Sequence, residues 1–148
     1  MNVLISACLL GTACRYDGKS APLPAPLLER LKHACHLIPV CPEVFGGLPT
    51  PRLPAECGNG RVQRRDGADI TDAYRRGAAE ALRLARFFDC RYAILKERSP
   101  SCGKGQIYDG TFSGRLAAGD GVTAALLEED GLCVFGESEI DAFLSILD

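Results

Sequence analysis

Strand-like and helix-like stretches alternate along the whole chain, an order that few architectures accommodate. Val3 to Leu9 is a short apolar run entering Gly11 and reads as a buried first strand. Ser20 to Pro26, rich in proline and small residues, reads as a loop. Leu27 to His36 then carries apolar side chains at Leu27, Leu28, Leu31 and Ala34, the spacing of an amphipathic helix. Leu37 to Cys41 predicts a second strand, and Pro42 to Gly60, dense in Pro and Gly, a long loop of the kind that is usually functional or mobile in a compact domain. Ile70-Thr71-Asp72 precedes the clearest helix, with Thr71 as its expected N-cap, an end near Phe88 and a buried stripe of Ala73, Ala78, Ala81, Leu82, Ala85 and Phe88. The arginines at 75, 76, 83 and 86 form its wet face.

Tyr92 to Lys96 predicts a third strand, followed by a second irregular stretch from Ser99 to Gly121. Thr123 to Asp130 predicts a short helix ending at Gly131, a left-handed C-cap; Leu132 to Phe135 a fourth strand; and Ser138 to Leu147 a last helix capped by Ser138. Strand then helix, four times over, predicts a single α/β domain over 1–148: a three-layer sandwich with a mostly parallel, Rossmann-like sheet. Ligands of such sheets bind in the crevice beyond the carboxyl ends of the strands.

Eight cysteines in 148 residues are many, and the chemistry turns on whether they are reduced. The stretch Met1 to Cys8 lacks a cationic n-region and its apolar run is too short for a signal peptide, so a cytoplasmic chain with free thiols is expected. No apolar run approaches the roughly 20 residues of a membrane span. A net charge of −2 gives no general attraction to phosphate backbones, and this weighs against RNA binding through Arg61, Arg64 and Arg65. Nothing in the sequence sets an oligomeric state.

Four thiols follow strand ends: Cys8 and Cys14 after the first, Cys41 after the second and Cys102 after the third. Each lies among turn-forming residues, where backbone N–H groups are free to bond thiolate or sulfide, and Arg15 and Lys104 stand nearby in sequence. Cys35, Cys90 and Cys133 read as packing residues, and Cys57 is ambiguous. No CxxC occurs, which leaves a zinc ribbon or a thioredoxin-type site poorly supported. His33 and His36 read as helix-end caps rather than ligands. Thiolates from separate loops suit either zinc or an iron–sulfur cluster. Four ligands would close a cluster, whereas three would leave one iron open to a substrate atom, so the status of Cys14 is decisive.

Ser6-Ala7-Cys8-Leu9-Leu10-Gly11 with Cys14-Arg15-Tyr16-Asp17-Gly18, then Pro39-Val40-Cys41-Pro42-Glu43-Val44-Phe45-Gly46-Gly47-Leu48-Pro49-Thr50-Pro51-Arg52, resembles the thiouracil desulfidase family. Ile94-Leu95-Lys96, Ser99-Pro100-Ser101-Cys102-Gly103, Ile107 to Phe112 and Gly119 to Ala124 extend the resemblance over essentially the whole chain. It implies a [4Fe–4S] cluster held by Cys8, Cys41 and Cys102, with a free iron for the sulfur of a thiolated pyrimidine such as 2-thiouracil. The product is the oxo base, sulfide is released, and no net redox change occurs. The partner is then a small thiolated nucleobase or nucleoside. Cys14 would lie near the cluster as a catalytic or auxiliary thiol, and Glu43 and Ser101 match polar positions beside two ligands. Glu43 is the expected base for the attacking water. Asp17 and Asp109 are weaker candidates because Asp-Gly pairs serve turns. Ser101 or Lys96 would bond the ring, and Arg52 would do so or pair with a carboxylate. The alternative is a non-enzymatic, cysteine-rich zinc or iron–sulfur module for binding or sensing.

Overall fold

The computed structural model describes residues 1–148. Its centre is a four-stranded parallel sheet of β1 (Asn2–Ser6), β2 (His36–Val40), β5 (Tyr92–Leu95) and β8 (Cys133–Gly136), in the order β2-β1-β5-β8. The register sets Ser6 opposite Val40 and Ile5 opposite Ile94, so the carboxyl ends of the three strands that precede the candidate cysteines are level.

Alternation along the strands sorts side chains to two faces, as a period of two requires. Val3, Ile5 and Ile94 meet Leu31 of α1 (Ala25–Ala34) and Phe143 of α5 (Ile140–Leu147). Leu4, Ala93, Leu95 and Val134 meet Ala81, Leu82 and Ala85 of α3 (Thr71–Phe87) and Leu127 of α4 (Val122–Glu129). Helices therefore cover both faces, which is the expected three-layer α/β sandwich. Burying a leucine, isoleucine or valine fully contributes about 1.5–3 kcal/mol, and both faces are lined with such residues.

Several boundaries differ from expectation. The first strand stops at Ser6, and Ala7–Leu10 form a 3₁₀ turn that ends at Gly11 with φ +103. That turn swings Cys8 out of the strand direction. Pro42 to Gly60 is not all loop: it holds a short helix, α2 (Pro42–Phe45), and β3 (Ala55–Gly58), which pairs antiparallel with β4 (Arg61–Arg64). Ser99 to Gly121 likewise holds a hairpin of β6 (Gln106–Tyr108) and β7 (Leu116–Ala118). These strands of three or four residues are too short to leave an alternation in the sequence.

Thr71 is not an N-cap. Its hydroxyl donates to Asp69 and accepts the Val62 N–H at 2.9 Å, while Asp69 takes the Thr71 N–H at 3.0 Å. Ser138 is no cap either, because its N–H and hydroxyl both go to Glu97. Ala73, Ala78, Ala81, Leu82 and Ala85 are buried as expected, with Tyr74 added to the stripe; Phe88 lies just past the end of α3 and is half-buried, and Arg75, Arg76, Arg83 and Arg86 are exposed. Cys133 is exposed on the edge strand rather than packed, whereas Cys35 and Cys90 are buried. His33 Nδ1 lies 2.7 Å from Glu29 O near the end of α1, and His36 is in β2, so only the first of the two serves the helix end. No helix is long and apolar enough to cross a membrane.

Candidate functional site

A cavity of about 520 Å³ opens at the carboxyl ends of β1, β2 and β5, and Cys8, Cys14, Cys41 and Cys102 all line it. The topology explains the gathering. Three adjacent parallel strands each hand the chain to a tight turn at the same rim: the 3₁₀ turn for Cys8, the N-cap of α2 for Cys41, and the Ser99–Gly103 turn for Cys102. Cys14 returns to the rim through the segment after Gly11, and its carbonyl lies 3.8 Å from Cys41 Sγ. A larger cavity of about 740 Å³, between the two hairpins and the α3–α4 face, holds a single thiol, Cys57. Four thiols gather at the cysteine-lined rim, against one in the larger cavity.

Burial is the main influence on these thiols. It pushes Cys8 up to about 11, against the opposing pull of the Lys96 and Arg15 cations. Burial and then the neighbouring Cys41 raise Cys14 to about 12. Burial raises Cys102 to about 12, although the Ser101 and Ser6 hydroxyls favour its thiolate. Without a metal the three are protonated near neutrality, and any of them that ligates one would give up its proton. Lys104 plays no part, contrary to the sequence expectation: its ammonium donates to Val134 O at 2.6 Å and pairs with Glu128. Lys96 takes that place, lining the cavity while paired with Glu137 at 2.5 Å.

Glu43, in the first turn of α2, is held from two sides. Arg52 Nη2 donates to Oε2 at 2.5 Å, and the Tyr74 hydroxyl donates to Oε1 at 2.5 Å. The Arg52 side chain is 6% exposed and that of Glu43 14%, so this is a buried pair. Arg52 also donates to Cys14 O at 2.9 Å, Pro49 O at 3.1 Å and Thr50 Oγ1 at 3.0 Å. One guanidinium thereby ties the Cys14 loop, α2 and the proline-rich segment together, and Arg52 makes the carboxylate pair that is one of its two expected roles. Tyr74, 2% exposed, went unseen as a site residue because it falls within the alanine stripe of α3. Its signal was a hydroxyl on a buried helix face, which needs a partner. Burial and the Glu43 charge both raise the Tyr74 phenol, so it stays a donor.

Ser101 is buried at the rim, its Oγ 3.5 Å from Cys102 Sγ as donor and 3.1 Å from Ser99 Oγ. Asp17 and Asp109 serve turns, accepting from Lys19 N–H at 3.0 Å and from Thr111 N–H at 2.9 Å. Cys57 lies in β3, its thiol donating to Pro100 O at 3.3 Å, and it lines the larger cavity rather than the cysteine-lined one. Arg61 and Arg64 are engaged by Asp69 and Asp66, and of the three basic residues only Arg65 reaches the cavity.

The donor set is all soft sulfur, delivered from separate turns and backed by two cations. No three His, Cys, Asp or Glu side chains converge tightly enough to hold one metal ion. A polynuclear cluster spreads its ligands over the corners of a cage, so thiols ranged around a cavity fit it.

Comparison with known proteins agrees with this reading. A family model described as 2-thiouracil desulfurase matches residues 3–139. An uncharacterized protein of Bacillus subtilis (strain 168), YbbK, is 41% identical over 152 residues, spanning 96% of this chain and 99% of its own length. Among solved structures, a [4Fe-4S]-dependent thiouracil desulfidase, TudS, is 44% identical, with a TM-score of 0.92 and 98% of each chain covered.

Proposed function

This chain belongs to the 2-thiouracil desulfurase family, and from that premise we propose that it removes sulfur from 2-thiouracil or a related thiolated pyrimidine, using a [4Fe–4S] cluster held by Cys8, Cys41 and Cys102. The observation that carries this reading is the convergence of those cysteines on one cavity at the carboxyl ends of three adjacent parallel strands. The overall change is hydrolytic: thiocarbonyl and water give carbonyl and hydrogen sulfide, with no electron gained or lost. When bound, the cluster supplies a soft Lewis-acid iron that draws electrons from a thiocarbonyl sulfur.

The chain's own residues do the rest. Glu43 accepts the proton of the attacking water. A carboxylate has about four lone-pair sites, so each oxygen keeps one after bonding Arg52 or Tyr74. Those two donors fix the carboxylate plane and aim its free lone pairs, the geometry a base needs before its proton affinity matters. Ser101 holds Cys102 through its hydroxyl and can turn that hydroxyl between sulfur, Ser99 and the ring. Lys96, with its Glu137 partner, sets a positive charge beside Cys8 that offsets anionic sulfur. Cys14 is a neighbouring thiol outside the ligand set.

Anaerobic reconstitution followed by iron and acid-labile sulfide assays tests the ligand assignment. The parent should bind iron and sulfide in equal amounts and release sulfide from 2-thiouracil. Cys8→Ser, Cys41→Ser and Cys102→Ser should each lose the cluster, and Cys14→Ser should retain it. If Cys14→Ser loses iron as the others do, the cluster has no open corner and the catalytic reading fails.

A further inference from the structure

One stretch of the cavity wall is held in an unfavourable backbone conformation that core packing does not explain. The loop from Asp109 to Arg115 joins β6 to β7, and in it Phe112 has φ +57. Bulky side chains avoid that left-handed region, at a cost of roughly 1–2 kcal/mol. The Phe112 ring belongs to neither hydrophobic cluster of the sandwich; it is half-buried and lines the cavity that holds the four cysteines.

The surroundings enforce this conformation. Glu56 Oε1, on β3, accepts the N–H of Gly110 at 3.0 Å and that of Phe112 at 3.1 Å. Gly110, with φ +94, lies flush on the β3 end: a Cβ there would stand 2.9 Å from Cys57 O. Asp109 Oδ1 takes the Thr111 N–H at 2.9 Å and its hydroxyl at 2.6 Å. Among Asp109, Gly110, Thr111, Ser113 and Gly114, Phe112 is the sole apolar side chain, and it occupies the strained position.

We propose that Phe112 is the face on which the flat ring of the thiolated base stacks, with Glu56 as the positioning residue that keeps it there. A pyrimidine ring offers a π-face to an aromatic side chain whatever its substituents, so this contact selects for planar heteroaromatic thiones and leaves the choice among them to the polar groups at the rim. The inference rests on the desulfidase reading above for the identity of the ring.

Steady-state kinetics with 2-thiouracil, together with equilibrium dialysis of uracil against the cluster-loaded protein, separate the two ideas. Phe112→Leu should raise both KM for 2-thiouracil and Kd for uracil by roughly 5- to 150-fold, the range of base–aromatic stacking, with kcat within about twofold of the parent. Phe112→Tyr should keep both constants near parental values. Glu56→Gln should move them in the same direction by a smaller factor, with kcat retained. Phe112→Asn, which accepts the left-handed backbone readily, replaces the leucine variant if that one does not fold. Unchanged KM and uracil Kd in Phe112→Leu, or a fall in kcat alone, would overturn the stacking role. A parent that binds uracil but releases no sulfide from 2-thiouracil would instead overturn the desulfidase reading, while the dialysis still reports on Phe112.

Discussion

Replacing Arg52 with methionine should be among the most damaging single changes at the rim. The substitution keeps much of the side-chain volume but leaves Glu43, 14% exposed, without its cation. Removing one member of a buried ion pair costs about 3–5 kcal/mol, because the other charge stays behind uncompensated. At about 2–4 °C per kcal/mol for a chain of this size, the melting temperature should fall by roughly 6–20 °C. Part of the loss comes from Cys14 O and Pro49 O, which also lose a donor. A cycle with Glu43→Gln separates the contributions. Once the carboxylate charge is gone, Arg52→Met should cost only the lost neutral bonds, about 1–2 kcal/mol. The coupling between the two positions should then be about 1–4 kcal/mol, above the scatter of independent sites. Urea unfolding of the reduced, cluster-free protein measures it, with an unchanged slope confirming that only stability moved. A coupling within about 0.5 kcal/mol of zero would show that Glu43 is solvated despite its burial, and the account of how it is held would be wrong.

Two further changes probe the scaffold. Gly77→Ala would put a Cβ 1.7 Å from Pro42 O, where α3 crosses α2, and should cost about 3 kcal/mol or more; Gly131→Ala, in open space at φ +96, should cost about 1 kcal/mol, and thermal melts of the two variants check the contrast. Cys133 is the one exposed thiol, so mild oxidation should give a disulfide-linked dimer on a non-reducing gel that disappears in Cys133→Ser; a dimer that persists would place the reactive thiol elsewhere.

Much of this was legible from residue order. The parallel sheet and the helix on each connection follow from apolar runs of fixed period, because periods of 2 and 3.6 survive any arrangement of the elements in space. The coincidence of cysteines with strand ends was visible for the same reason, and so was the turn role of the Asp-Gly pairs at Asp17 and Asp109. Cys133 was misjudged because an apolar strand does not reveal whether it lies at the edge of its sheet; here β8 is last in the order. The hairpins at Ala55–Arg64 and Gln106–Ala118 were missed because strands of three or four residues carry too few positions to establish a period.

Residue order alone thus determined the layer architecture and the placing of four cysteines just after strand ends, both of which depend on local pattern and covalent neighbours. Tertiary structure decided which polar groups serve those donors. Lys96 rather than Lys104 faces Cys8, Arg52 pairs with Glu43, Tyr74 reaches across from α3, and Glu56 pins a loop more than fifty residues away in the chain. Such partnerships are set by the directions of side chains on elements that meet only after folding. A buried carboxylate must find donors wherever the packing leaves them, and no spacing along the chain records that choice.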